Sequence, residues 1–468
     1  MVAVAGPTGS GASTGTDPPG RGFRIDAFVV WMVGLALAAL LLRLGYASFV
    51  KWDQRIWGDA AYYHAQANGL FDGHGFAGYQ ATADGIVRYG AEAQHPPLTT
   101  LYLALWSLVG LSTFHWHMVA GCVLGAATVV ALGYTGREIA GPRAGILAAA
   151  IAVVTPSLWS NDVLVMSETV TEFVVALALL TAYRYWRAPK VSTLMVLGGL
   201  CALGALARTE IGLLIPFMLV PLALRTHRGD RRSRWKALGA ALAVAALVLA
   251  PWLIRNATLD PPVIGLSNSG AVLMVANCPE AYDGPAVGWW AAPCQINELL
   301  HDDAAARERG LHFIKDHLGA LPRVALFRLG RMFEVYEPGS FLPGAPEGEG
   351  TIALQVIDGQ TYTTARLGLL AFYLLAVGAI AGGVIMFRRR ITLIPVYAVL
   401  ATVAVTALVA YGNTRFRTPF DLALVVLTGV AIDAAWSRIR RQPPGGDGPG
   451  SRAVGDPARN IDPDVAGL

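Results

Sequence analysis

The chain reads as an all-α polytopic membrane protein, and three observations predict that class. Of 468 residues, 54% are hydrophobic and only 15% charged, where a soluble domain carries about 25% charge. The mean hydropathy is +0.48, and the hydrophobic residues gather in runs of bilayer length. Lys and Arg cluster in alternate gaps between those runs, the pattern by which membrane helices are oriented. A net charge of only +4, with no basic face, argues against nucleic acid as a partner.

In chain order, residues 1–24 are rich in Gly, Pro, Ser and Thr without apolar periodicity, and 438–468 end in a similar stretch. Both are expected to be disordered cytoplasmic tails. Ten spans are then expected, at about 26–46, 115–136, 143–158, 164–183, 191–207, 210–225, 236–255, 365–387, 391–411 and 417–437. The first lies behind a long polar tail and reads as an uncleaved helix rather than a signal peptide. The segment 97–111 is apolar but brief, and reads as a half-inserted helix. Ten crossings put Arg21, Arg24, Arg137, Arg143, Arg184, Arg187, Lys190, Arg388 to Arg390 and Arg438 to Arg441 on the cytoplasmic side with both termini.

That topology divides the chain into an N-terminal transmembrane module over 25–255, an extracytoplasmic loop over 256–364, and C-terminal transmembrane helices over 365–437. The N-terminal module contains a first outer loop, 47–114, expected to hold amphipathic interfacial helices. The remaining outer turns are 159–163, 208–209 and 412–416. The unusual polar residues converge on this face.

The first outer loop carries Trp57-Gly-Asp-Ala-Ala-Tyr-Tyr-His64, followed by His95-Pro-Pro-Leu98. Asp59 precedes a predicted helix over 60–71, so it is either an N-cap or a partly desolvated base able to accept a proton from a hydroxyl. Tyr62, Tyr63, His64 and His95 are its candidate substrate-binding neighbours. Arg415 and Arg417 alternate around Phe416 in the last outer turn, where they either snorkel or bind phosphate through guanidinium forks. Arg208, in Arg208-Thr-Glu210, is either half of a local ion pair or a further phosphate ligand. Asp162 and Glu168 open the fourth span as caps or as substrate contacts. Arg43, inside the first span, must snorkel or face the protein interior.

GDAAYYHAQANGL, HPPLTTLYLALW, MSETVTEFVVALALL, ALARTEIGLLIPF and YGNTRFRTPF, in that order, resemble the GT-C superfamily. The nearest branch is the bacterial relatives of protein O-mannosyltransferases and lipid A aminoarabinose transferases. The resemblance spans roughly residues 26–437. It implies an inverting transfer of a sugar, hexosyl or pentosyl, from a polyprenyl-phosphate carrier to a lipid, glycan or protein acceptor at the outer face. Asp59 matches the position of the base, and Arg415 and Arg417 match a turn associated with the lipid phosphate. Relatives commonly place a second acid beside the base, whereas Asp59 is flanked by Gly58 and Ala60. A divalent cation is the one cofactor this departure leaves open.

Cys278 and Cys294 lie in the large outer loop and suggest a loop-closing disulfide, while Cys122 and Cys201 fall within spans. No His/Cys spacing favours zinc. Amphipathic helices are expected between Gln295 and Tyr336. A flippase for a lipid-linked precursor is the rival reading, but it predicts internal repeats and midplane sites that the sequence does not display.

Overall fold

The computed structural model describes residues 26–337, apart from 54, 55, 57, 83, 297, 298, 300 and 301, together with residues 360–440. The predicted tails lie outside the described residues, except that the last helix runs on to Ile439. The described residues form a helix bundle with one short hairpin. Helix α1 (Ala27–Tyr46) is capped by Asp26, whose carboxylate also meets Arg137 at 3.0 Å. It is followed by α2 (Gly58–Phe71), strands β1 (Ala77–Thr82) and β2 (Gly85–Ala91), and α3 (Leu98–Leu108). Then come α4 (Phe114–Ala140), α5 (Pro142–Val154), α6 (Pro156–Asn161), α7 (Ser167–Arg187) and α8 (Val191–Ala207). After a 3-10 and π-helical stretch over 209–219, α9 (Val220–Thr226) and α10 (Arg231–Ala257) complete the N-terminal module. The large loop contributes α11 (Gly270–Ala276), α12 (Pro279–Tyr282), α13 (Asp303–Asp316) and α14 (Leu321–Met332). The chain closes with α15 (Tyr362–Arg388), α16 (Ile394–Val409) and α17 (Thr418–Ile439).

Burial sorts these helices. Every residue of α17 from Leu422 to Val430 is buried, so this helix is enclosed on all sides. By contrast α1, α10 and α15 expose Leu41, Leu247 and Val377, the outward apolar surface of a membrane bundle. Leu179, Leu194, Leu197, Met218 and Val425 lie in the core between them. Inside this core Arg43 donates to Asp162 at 2.6 Å, each side chain only 1% exposed. Arg43 therefore faces the interior, and Asp162 is its counter-ion. Gly125 on α4 makes room for the pair, since a Cβ there would lie 1.9 Å from Asp162 Oδ2.

Six of the ten expected spans are helices long and apolar enough to cross a membrane: 27–51, 114–140, 209–226, 231–257, 363–388 and 414–439. Three others, α5, α8 and α16, are apolar but have only 13, 17 and 16 residues. The fourth, α7, has 21 residues and carries buried Glu168 and Glu172. The expected continuous span 143–158 is corrected: Thr155 is extended at ψ 114 and Pro156 starts a new helix. Proline excludes the α conformation from the residue before it, which breaks the helix there. The segment 97–111 is the short helix α3.

The first outer loop also departs from expectation, because an antiparallel hairpin, β1–β2, follows α2. Arg255 at the end of α10 ties this loop down, donating to Glu92 O at 2.7 Å and Phe76 O at 2.8 Å. In the large loop Cys278 and Cys294 form a disulfide. Arg328 and Arg331 of α14 turn inward onto loop carbonyls, Arg328 on Ala276 O and Arg331 on Val287 O.

Candidate active site

Several helix ends meet at one end of the bundle. The first turns of α2 and α7, the C-terminal residue after α8, and the 3-10 turn leading into α17 supply Asp59, Glu168, Arg208 and Arg415 in turn. Asp59 does not precede its helix as predicted; it lies in the first turn, because Gly58 begins the helix with φ +56. That left-handed backbone is costly for any residue with a Cβ. The N-termini of α2, α7 and α17 all carry positive partial charge, favourable to acids and to anions.

Arg415 is the hinge of the constellation. Its Nε donates to Glu168 Oε1 at 2.7 Å and its Nη2 to Asp59 Oδ2 at 3.3 Å. Arg208 Nη1 donates to the same Glu168 oxygen at 2.7 Å, and its Nε to Glu210 at 2.6 Å. Glu168 is 2% exposed, and its second oxygen, Oε2, is buried with no hydrogen-bond partner. That orphaned acceptor is an unmet demand for a donor. Asn413 fixes the turn by accepting from Arg415 N at 2.9 Å.

On its other side Asp59 faces His95 Nε2 at 3.5 Å, an electrostatic contact rather than a hydrogen bond. Burial opposes the charge on Asp59, but His95 and Arg415 outweigh it and hold the carboxyl below the usual carboxylate range. The side chain is one-third exposed, so solvent screens part of this effect. Tyr62 and Tyr63 lie beneath, buried, with ring centroids 4.9 and 5.0 Å from His95. Burial raises both phenols above their ordinary value, which keeps them protonated.

Other predicted residues are placed differently. His64 points away to His117, their Nδ1 atoms 3.1 Å apart, and burial pushes its imidazole down to about 4. It packs against His117 and Phe114 rather than against Asp59. Asp162 is engaged by Arg43 in the core, away from the Asp59–Arg415–Glu168 group. Arg417 also differs from expectation. It is buried, donates to Glu334 at 2.8 Å and Asp421 at 3.2 Å, and stacks over Phe372 at 3.7 Å. Its guanidinium is a strut between α17, the end of α14 and α15.

A cavity of about 40 Å³ opens beside Arg415, lined by Asn161, Met166, Glu168, Gln360, Gly368 and Leu369 among others. Gln360 donates to Asn161 Oδ1 at 2.8 Å on its wall. Sequence reasoning missed Glu334, Asp421 and Gln360. Arg417-x-x-x-Asp421 is a helical i,i+4 pair that the sequence does signal, whereas Glu334 and Gln360 arrive from distant segments. The carboxylates of Asp59 and Glu168 form a poor donor set for a divalent cation, since both share oxygens with Arg415. Among the described residues, Cys278, Glu280 and Cys294 lie close enough to hold a metal, but the disulfide occupies both sulfurs.

Residues 94–254 match the family model described as dolichyl-phosphate-mannose-protein mannosyltransferase. No curated protein matches the chain. Among solved structures, the oligosaccharyltransferase of Archaeoglobus fulgidus in the apo form is similar, with 14% identity and a TM-score of 0.52 over 88% of this chain and 51% of that one. The archaeal oligosaccharyltransferase AglB from Archaeoglobus fulgidus, in complex with an inhibitory peptide and a dolichol-phosphate, gives 16% identity, a TM-score of 0.52 and the same coverage. ArnT from Cupriavidus metallidurans bound to undecaprenyl phosphate aligns over 89% of this chain and 81% of that one at 15% identity, with a TM-score of 0.40, too loose a superposition to argue from. The chain spans about half the length of the archaeal structures. It has the fold of the GT-C membrane glycosyltransferases and is a multi-pass membrane protein.

Proposed function

We propose that the protein is an inverting glycosyltransferase that moves a sugar from a polyprenyl-phosphate carrier to an acceptor hydroxyl at the outer face of the cytoplasmic membrane. The observation that carries this reading is the bridge from Asp59 through Arg415 to Glu168, at the edge of a cavity that opens toward α15. A general base and a phosphate-binding cation stand side by side, as displacement at a phosphate-linked anomeric carbon requires.

The charge count refines the mechanism. Asp59, Glu168 and Glu210 share Arg208 and Arg415, with His95 also beside Asp59, so an incoming phosphate meets guanidiniums that are already paired. It binds by exchange, taking the Nη2 side of Arg415 from Asp59, with the three helix N-termini adding positive potential. Exchange does two things at once. It positions the leaving group on a bidentate donor, and it relieves Asp59 of one of the two groups, His95 and Arg415, that keep it weakly basic.

Asp59 then accepts the proton of the acceptor hydroxyl while that oxygen attacks C1 from the face opposite the phosphate. The new C1–O bond forms as the C1–O–phosphate bond breaks, and the electron pair leaves with polyprenyl phosphate. That leaving group needs no proton, only positive charge on its developing anion. Glu168 holds Arg415 and Arg208 with Oε1 and offers Oε2 to a sugar hydroxyl. Arg417 also lines the cavity, but with Glu334 and Asp421 already on its guanidinium its role is to keep the turn in place.

The purified protein, supplied with a panel of radiolabelled polyprenyl-phosphate sugars and a crude envelope acceptor, is expected to release polyprenyl phosphate and deliver label to the acceptor. Carrier binding without release from any donor would reject the transferase reading in favour of transport.

A further inference from the structure

A second cavity, of about 440 Å³, lies at the opposite end of the bundle from Asp59. From Arg417 to Ser437 α17 rises about 30 Å, so the two sites are separated by roughly a bilayer core. The cavity sits where the α4–α5 turn, the end of α15 and the end of α17 meet, and Arg143, Arg389, Arg438, Asp433 and Ser437 line it.

Three independent features make it electropositive. Arg143 is paired with Asp433 and also reaches Ser437, so the single acid on the wall is already neutralised. Arg389 and Arg438 are exposed and, among the described residues, have no ion-pair partner. The wall also includes Gly141 and Pro142, the uncapped N-terminus of the 13-residue α5, with no side chain accepting from its first amides. Two unopposed guanidiniums and an uncapped helix start are a set of donors for a phosphate group.

The rim is apolar. Ile432, Trp436 and Ile439 recur at i, i+4 and i+7 on α17 and are exposed, as is Phe387 at the end of α15. An anion seated in the cavity would therefore have hydrocarbon beside it. Basic pockets between membrane helices bind anionic headgroups. We propose that this cavity is a binding site for the headgroup of an anionic phospholipid, with its acyl chains along the Ile432–Trp436–Ile439 face. The site is separate from the proposed transfer centre and does not depend on that reading.

The test is native mass spectrometry of the detergent-purified full chain, titrated with phosphatidylglycerol or phosphatidylcholine. Arg389→Gln/Arg438→Gln is compared with wild type. Neither arginine side chain has an ion pair or hydrogen bond among the described residues, so the variant should fold, and the single substitutions supply a second reading. The expected result is clear preference of the wild type for phosphatidylglycerol. Each arginine should contribute about fivefold, so the double variant should bind roughly 30-fold more weakly. Equal affinity for the two lipids would overturn the proposal, as would undiminished binding by the double variant. Displacement of phosphatidylglycerol by inorganic phosphate at matched concentration would identify a free-anion site and overturn the lipid assignment.

Discussion

Arg415 and Arg417 stand two residues apart, and the structure gives them opposite consequences when removed. Arg415→Gln deletes a guanidinium that bridges Asp59 and Glu168, but Arg208 stays on Glu168 at 2.7 Å. No buried acid is left without a cation, so the cost to stability should stay below about 2 kcal/mol. The lost charge-assisted contacts to a carrier phosphate are worth about 1.5–3 kcal/mol, which is roughly 10- to 150-fold in carrier affinity. Arg417→Gln does the reverse. Glu334 and Asp421, 6% and 3% exposed, would both lose their cation, and stranding buried charge costs about 3–5 kcal/mol. The assay is a paired measurement on each purified variant: polyprenyl-phosphate binding by titration, and thermal unfolding in the same detergent. Arg415→Gln should bind weakly and melt near wild type; Arg417→Gln should melt early, and in the fraction still folded should bind the carrier normally. Unchanged affinity in Arg415→Gln, or a carrier defect at full stability in Arg417→Gln, would refute the assignment.

The buried pair in the core gives a second expectation: Arg43→Met should cost about 3–5 kcal/mol, and adding Asp162→Leu should recover much of it, read by thermal unfolding; additive losses would contradict a paired charge. Gly58→Ala meets no atom within 4 Å of the new Cβ, so its cost, about 1 kcal/mol, comes from the left-handed backbone alone; a variant as stable and active as wild type would show that Asp59 does not depend on that turn. The pH profile follows from the depressed carboxyl of Asp59. A group whose folded pKa is lowered contributes stability above its ordinary value, near pH 4, and loses it as pH falls toward the folded value. Accordingly kcat/KM, which reports the free enzyme, should show no acid limb from Asp59 down to about pH 4. In Arg415→Gln that limb should move upward, and a limb that stays put would separate Asp59 from Arg415.

Much of this arrangement was legible in the sequence because a bilayer sorts residues by end. Runs of apolar residues mark the helices, and a polar residue between two runs must sit at one face or the other. Asp59, Glu168, Arg208 and Arg415 could thus be brought to one end from their places between runs. What the sequence concealed depends on side-chain direction. Arg415 and Arg417 look equivalent in Thr-Arg-Phe-Arg, yet a tight 3-10 turn sends one to Asp59 and the other to Glu334, which arrives from 83 residues away. The same limit applies to His64, whose partner His117 lies on another helix, and to Asp162, whose partner Arg43 is 119 residues distant. The hairpin over 77–91 was readable: Asp84-Gly85 is a turn signal between short runs containing Tyr79, Ile86 and Val87, but its weak alternation hid the strands. Short α5 fell below bilayer length because Pro156 breaks the apolar run after Thr155.

The central claim is that Asp59 is the base and that the carrier phosphate takes Arg415 from it. Asp59→Asn tests both parts, with turnover and carrier affinity measured on one preparation. Turnover should fall by about 10²–10⁴-fold, the usual contribution of a general base. Carrier affinity should equal or exceed that of wild type, because the competing negative charge on Arg415 is gone. Turnover near wild type, or a carrier bound more weakly than by wild type, would contradict the account.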